Sequence, residues 1–365
     1  MRRILMVVDH LGANGTVTHV ISLAKELKKM GHHIVIAGRE GSKLSEINSH
    51  NIPFYSIDFP ATFSPSHFEY NRVENNLMEI IQNENISLIH GHQVYSGIIA
   101  AKCAKVKNLP FIYTVHGLYS QNYELNMVAG YASKLIAVSP YVFSQLSGEF
   151  PEKLVLILNG VDETEFNPKP GGPFREKLGI QQDRFVVLYA SRLEWIKADI
   201  CMQLIQAVNQ LKHSDMPDIE LLILGEGKRQ SFINETSRFY CMNKKESFIK
   251  TMGSQCNLQD YYGISDCVVG TGRTALEALL CEKNVIAAGN KGFLGHVTIE
   301  NWEQAKNAHF GDHFALKSYG KAEFIRSLLD LRRIQSLNET QLLRETVIRD
   351  YSIVNAAIHH LSLYP

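Results

Sequence analysis

Short, unbroken apolar runs alternate along this chain with stretches whose apolar residues recur every three or four positions. Arg3–Asp9 is the first run. A polar loop, His10–Gly15, follows it, and then Val17, Val20, Ile21, Ala24 and Leu27 mark one face of a helix that Gly31 ends. His33–Ala37, Ser87–His90, Phe111–Val115, Leu135–Val138 and Leu154–Leu158 read as further strands. The alternation breaks at Asp162–Phe174, DETEFNPKPGGPF, which is rich in Pro and Gly and reads as a linker. It resumes with Phe185–Ala190, Ile219–Leu224, Ser247–Met252, Cys267–Gly270 and Val285–Ala288. Past Gly289 the periodicity fades, until Ser352–Leu363 again looks helical.

Uninterrupted apolar strands separated by helices predict parallel sheets covered on both faces. The expected fold is therefore α/β, with two Rossmann-like domains facing a deep cleft at the carboxyl ends of their strands. Residues 1–165 form the first domain and 166–349 the second. The helix at about 350–365 packs back onto the first.

A chain of 365 residues, 45% hydrophobic and 20% charged, fits two ordinary globular cores and excludes a disordered chain. With 37 basic and 37 acidic residues, it lacks the charge excess that holds nucleic acid. No apolar run approaches the roughly 18 residues of a spanning helix, and the one after Arg2-Arg3 is too short for a signal segment. The six cysteines are scattered without a CxxC pair, which suits a reducing compartment. The expected location is cytoplasmic.

Candidate chemistry gathers at strand ends. Gly12-Ala13-Asn14-Gly15 could bring backbone N–H groups against a phosphate, or could be only a tight turn. Its spacing does not support a nicotinamide cofactor. Arg192 and Lys197, beyond FVVLYA, read as a clamp on a diphosphate or as a solvated helix start. In the segment Thr271–Leu280, Gly272, Arg273 and Thr274 open a helix whose N-terminus suits a phosphate, and Glu277 lies inside it. A carboxylate there can accept both ribose hydroxyls, or it can simply favour the helix dipole. His116, at the end of PFIYTV, could face a sugar or cap backbone. His90 and His92 share a face as two metal ligands do, but the sequence places no third ligand, which favours structural histidines.

Together these segments resemble the GT-B glycosyltransferases, specifically family 4. The matching pieces run in the family's order over about 290 residues: the glycine loop before GHHIVIAG, FIYTVHG, IAVSPY, LILNGVD, SRLEWIK, LLILGEG, YYGISDCVV and LEALLCEKNVIAAG. The resemblance implies retaining transfer of a sugar from a nucleotide-diphosphate sugar, most commonly a UDP-sugar. It implies no tightly bound cofactor and no metal. By the same resemblance Arg192 and Lys197 neutralise the leaving diphosphate, Glu277 holds the ribose, and the Thr271–Thr274 loop covers the phosphates. Gly15 lets the first loop close on the donor, and His116 faces the transferring sugar. One departure stands out. The family commonly carries a second glutamate eight positions before the ribose ligand, and here that position is Val269. Arg273 instead offers a cation to a phosphate or an acidic sugar.

Two other readings remain open: an epimerase or hydrolase of the same architecture, and a nucleotide-sugar-binding scaffold without catalysis. The acceptor is unidentified. Ala61–Tyr70, with Phe63, Phe68 and Tyr70, reads as a variable loop facing it. Lys25, Lys28 and Lys29, beside His32 and His33, read as a solvated helix end or as a face for peripheral membrane contact.

Overall fold

The structure, a computed structural model, describes residues 1–60, 66–118, 122–242, 247–314, 317–333 and 337–365. It divides into two units, Met1–Asp162 with Tyr351–Pro365, and Glu163–Asp350. Both are α/β with strands that are almost all parallel.

In the first unit β1 (Arg3–His10), β2 (His33–Arg39), β3 (Phe54–Ser56), β4 (Leu88–Gly91), β5 (Phe111–Val115), β6 (Lys134–Ala137) and β7 (Leu154–Leu156) form a sheet in the order β3-β2-β1-β4-β5-β6-β7. Strand alternation divides its core. Leu5 and Val7 of β1 pack with Val73, Leu77, Ile98 and Ile99 from helices His67–Asn83 and Val94–Lys107. Ile4, Met6 and Val8 face the other way, toward helices Gly15–Lys29 and Ile353–Leu363. That last helix is tied in by a short ladder: Val161 N donates to Tyr351 O at 2.8 Å, and Ile353 N donates to Val161 O at 3.0 Å. A Cβ on Gly160 would lie 2.7 Å from Ile353 Cα, so the chains approach this closely only because position 160 is glycine. Burying Ile353 contributes about 1.5–3 kcal/mol to holding the helix there.

The second unit contains β8 (Phe185–Ala190), β9 (Ile219–Leu224), β10 (Ile249–Gly253), β11 (Cys267–Gly270), β12 (Asn284–Gly289) and β13 (Gly292–His296), ordered β10-β9-β8-β11-β12-β13. Among the described residues only β13 is an antiparallel strand, to β12. In each sheet the strand order reverses beside the first strand, at β1/β4 and at β8/β11. Loops leaving the carboxyl ends of those two pairs diverge to opposite faces and leave room for a ligand.

Two strands were not anticipated. β3 is a three-residue edge strand, too short to show alternation. β13, Gly-Phe-Leu-Gly-His, reads as a turn until β12 supplies its partner. The expected linker is also shorter than its composition suggests, because Gly172–Lys177 is already a helix.

Candidate functional site

At the β8/β11 reversal the loop after β8 is built on the loop after β9. Ser191 N donates to Leu224 O (3.1 Å), Leu193 N to Glu226 O (2.9 Å), and Arg229 N to Leu193 O (3.0 Å). Gly225 makes this contact possible: its φ is +131°, and a Cβ would lie 1.9 Å from Ser191 O. Arg192 projects from this platform, exposed and without an ion pair among the described residues.

Lys197, in the first turn of helix Trp195–Lys212, is engaged. Its Nζ lies 3.3 Å from Asp312 Oδ2, and Asp312 Oδ1 accepts from Asn290 N at 3.0 Å. Burial alone would raise the Asp312 carboxyl; Lys197, the Asn290 N–H and His309 outweigh it and hold it below the usual carboxylate range. Asp312 comes from a left-handed turn in which His309, Phe310 and Gly311 have φ of +46°, +56° and +104°.

That turn also supports the other half of the site. Thr271 Oγ1 donates to His309 O at 3.1 Å, and a Cβ on Gly272 (φ +52°) would meet His309 Nε2 at 2.9 Å. Burial pushes His309 down to about 4, with His313 adding to the effect. Thr274 Oγ1 lies 3.4 Å from Ala190 O, linking the helix start to the end of β8, and Gly270 leaves space for the Thr274 methyl group. The two helix starts share a backbone pattern. Extended Glu194 precedes left-handed Trp195 (φ +43°), as extended Thr271 precedes Gly272. A tryptophan held there, at about 1–3 kcal/mol of strain, is a feature that the sequence gives no means of anticipating.

Glu277 is 4% exposed, in helix Gly272–Leu280. Arg273 Nε lies 2.7 Å from its Oε1, and Tyr262 Oη donates to its Oε2 at 3.0 Å. Burial raises the Glu277 carboxyl above its ordinary value, against the opposing pull of Arg273 and Tyr262. Arg273 therefore points at Glu277, one helical turn away, rather than standing as an independent cation. Each carboxylate oxygen has a second acceptor direction, so the group can still receive hydroxyl donors. Val269 is fully buried in β11 with Val187 and Tyr189, so that position presents no polar group. Tyr262, His309 and Asp312 were not singled out from the sequence. His309 and Asp312 reach the site only through β13 and the left-handed turn; Gly311 is the one local signal for that turn.

In the first unit, Asn14 caps helix Gly15–Lys29, its side chain accepting from Val17 N at 3.0 Å. A Cβ on Gly15 would meet nothing within 4 Å, so the packing does not itself require a glycine there. Across the β1/β4 reversal lies a cluster of histidines: His19, His90, His92, His116 and His360. The rings of His90 and His92 are 4.0 Å apart, and those of His19 and His116 are 5.3 Å apart. His90 is held on both sides, by Tyr364 Oη and by Thr114 Oγ1, each at 2.8 Å. His92 Nδ1 lies 3.2 Å from His116 Nε2. Burial pushes all four titrations down where a shift is resolved: His90 and His92 well below the usual range, His116 to about 3 and His360 to about 4. Neighbouring histidines add to the shift. Among the described residues no group of three or more His, Cys, Asp or Glu is arranged to hold a metal ion.

The remaining segments singled out from the sequence are placed as follows. Phe63 lies outside the described residues. The end of the proposed acceptor loop is instead a helix start, with Ser66 and Glu69 forming a capping box; Phe68 is exposed and Tyr70 lies under the Lys102 ammonium at 4.7 Å. The lysines of the first helix are occupied. Lys25 pairs with Asp162 (3.5 Å), Lys29 with Glu26 (2.9 Å), and Lys28 caps His50 O (2.9 Å). Among the described residues no helix is long and apolar enough to cross a membrane.

Residues 13–165 match the family described as Glycosyltransferase Family 4, and residues 173–310 match Glycosyl transferases group 1. An uncharacterized glycosyltransferase of Methanocaldococcus jannaschii is 25% identical over 307 residues, 79% of this chain and 78% of that protein. A crystal structure of a glycosyltransferase from Rickettsia africae superposes with a TM-score of 0.78 at 24% identity, covering 100% of this chain and 97% of the other. Anabaena Alr3699/HepE, crystallised in complex with UDP and glucose, gives a TM-score of 0.78 at 18% identity, with 99% of each chain covered.

Proposed function

Because this chain belongs to glycosyltransferase family 4 and has the GT-B fold, we propose that it moves a sugar from a nucleotide-diphosphate donor, a UDP-sugar, to a hydroxyl acceptor. The second unit is read as the donor side and the first as the acceptor side. The observation that carries the donor reading is the β8/β11 reversal. Two adjacent strand ends, bridged by Thr274 and Ala190, offer Arg192 and Lys197 on one side and a helix N-terminus with buried Glu277 on the other.

In this reading the diphosphate lies against the helix start at Gly272–Thr274, where first-turn N–H groups have no intrahelical partner. Arg192, exposed and unpaired among the described residues, swings onto it, while Lys197 exchanges Asp312 for a phosphate oxygen. Glu277 accepts the ribose hydroxyls. Catalysis is electrostatic: cations already in place stabilise the charge that develops on the departing diphosphate. Transfer is read as retaining, without a carboxylate from position 269, and His116 of the first unit is kept as a candidate sugar contact from the family resemblance alone. Anabaena HepE, whose structure contains UDP and glucose, supports the choice of uridine.

The test is a thermal-shift panel of UDP, GDP, ADP, CDP and their sugar conjugates, with Lys197→Ala alongside. A ligand at a hundred times its dissociation constant stabilises by about 2.7 kcal/mol. A UDP-selective shift that Lys197→Ala removes, with uridine binding retained, supports the reading. No shift with any nucleotide would overturn it in favour of a scaffold.

A further inference from the structure

The left-handed turn at His309–Gly311 holds a histidine ring against the helix start on which the proposed donor site is built. A Cβ on Gly272 would lie 2.9 Å from His309 Nε2, 3.3 Å from Cδ2 and 3.7 Å from Cε1. Only a glycine at position 272 lets the ring edge come this close. The main chain of His309 is held, Thr271 Oγ1 donating to its carbonyl oxygen, yet its ring makes no hydrogen bond among the described residues. The residue is also partly exposed, so a ligand seated on the first-turn N–H groups of helix Gly272–Leu280 meets that ring. The His313 ring stacks on it, with centroids 5.0 Å apart and 29° between the planes.

Asp312 and His313 of its own turn and Lys197 of helix Trp195–Lys212 act electrostatically on the His309 ring. Lys291, on the turn between β12 and β13, acts on His313. Other charged groups on the elements packed here are directed elsewhere. Arg273 is turned to Glu277, Lys306 of helix Trp302–Asn307 pairs with Glu303 and Asp350, and His296 of β13 has Glu339 as its charged neighbour. In the ligand-free protein Lys197 is the counter-ion of Asp312; burial, His313 and Lys197 hold the His309 titration down at about 4. A diphosphate that draws Lys197 away leaves Asp312 uncompensated and brings further negative charge, and both changes favour imidazolium. We propose that His309 is a further binding residue of the donor site: it takes a proton from solvent as the diphosphate arrives, donates through Nε2 to a phosphate oxygen, and replaces Lys197 as the counter-charge of Asp312. The proton returns to solvent when the nucleotide leaves. This rests on the donor reading above.

The probe is UDP-glucose, whose doubly esterified diphosphate does not itself titrate near neutrality. Calorimetry on the whole chain at pH 8.0 and 6.0, in two buffers of different ionisation heat, gives affinity and proton uptake together. The complex holds one more proton than the free protein, so binding should strengthen as pH falls. A ring returned to the ordinary histidine range makes that roughly four-fold from pH 8.0 to 6.0. His309→Asn, a side chain that tolerates left-handed backbone, should flatten this dependence and remove the uptake. The readout is the difference between wild type and variant, so protons exchanged at Glu277 cancel. Should His309→Asn fail to fold, His309→Gln supplies the same comparison. Binding weakened by one factor at both pH values would show that His309 only shapes the turn, and would overturn the inference. UDP-glucose bound with no difference in uptake would overturn it too and leave the donor reading standing. No binding of UDP-glucose or UDP at either pH would overturn both.

Discussion

Acidification should unfold the first unit well before the second, through its buried histidines. His90, His92, His116 and His360 are neutral in the folded protein because burial, with neighbouring histidines adding to it, holds His90 and His92 well below the ordinary imidazole range, His116 at about 3 and His360 at about 4. In the unfolded chain each titrates near 6.5. Between those values the unfolded state binds more protons, so stability is intact above about pH 7 and falls as pH drops through the unfolded pKa. At pH 5 His116 and His360 each cost about 2 kcal/mol, about 4 kcal/mol together, and His90 and His92 act in the same direction. A domain's whole stability is about 5–15 kcal/mol. Hydrogen exchange read by mass spectrometry between pH 7.5 and 5 reports the units separately. Peptides from β1 and β4 should lose protection with a dependence near four protons. Those from β8 and β9 should respond less, since among the described residues of the second unit only His309 is as deeply buried with a comparable shift. His360→Gln should remove about one proton from the slope. A dependence below two protons in the first unit would refute the reasoning, since the cluster would then be ionised or open to water.

Three further outcomes follow from the second unit. Gly225→Ala, which puts a methyl group onto Ser191 O at positive φ, should destabilise by at least about 3 kcal/mol; an unchanged urea midpoint would show that the Arg192 platform is not built this way. Glu277→Gln should leave the ligand-free protein as stable as the wild type or more so at pH 7. The raised carboxyl contributes most stability when protonated, below about 4.5, and loses it as pH rises through the folded pKa. Ribose-over-deoxyribose discrimination should fall in the same variant, and a large loss of stability would refute the assignment. Asp312→Asn should tighten UDP roughly five-fold by calorimetry, since the phosphate no longer competes for Lys197 and such a pair is worth about 1 kcal/mol. Unchanged affinity would place the phosphate elsewhere.

Much of this was readable along the chain because parallel strands buried on both faces leave unbroken apolar runs. Arg3–Asp9, Phe185–Ala190 and Cys267–Gly270 fall on β1, β8 and β11, the strands on which the candidate site depends. Glu277 and Lys197 were visible because they sit at fixed offsets from those strand ends. His309 and Asp312 were not, because their place depends on an antiparallel return strand and a left-handed turn, neither of which leaves a periodic trace. The pairing of Arg273 with Glu277 was within reach, since residues four apart on a helix are neighbours. Val269 stood out in the sequence as a missing carboxylate, but its burial among apolar side chains depends on the register of β11 against β8 and β12.

The return of Tyr351–Pro365 to the first unit has a consequence for how the protein is made. The strands of that unit leave the ribosome first, yet the helix that covers Ile4, Met6 and Val8 is translated after all of Glu163–Asp350. At about 5–20 residues per second, that apolar face waits on the order of tens of seconds without its cover, with His90 lacking the Tyr364 hydroxyl. The nascent first unit should thus need protection until Tyr351–Pro365 has been made, and ribosome-bound chains stalled before residue 351 should be cut by protease within it while released chains that include this segment resist.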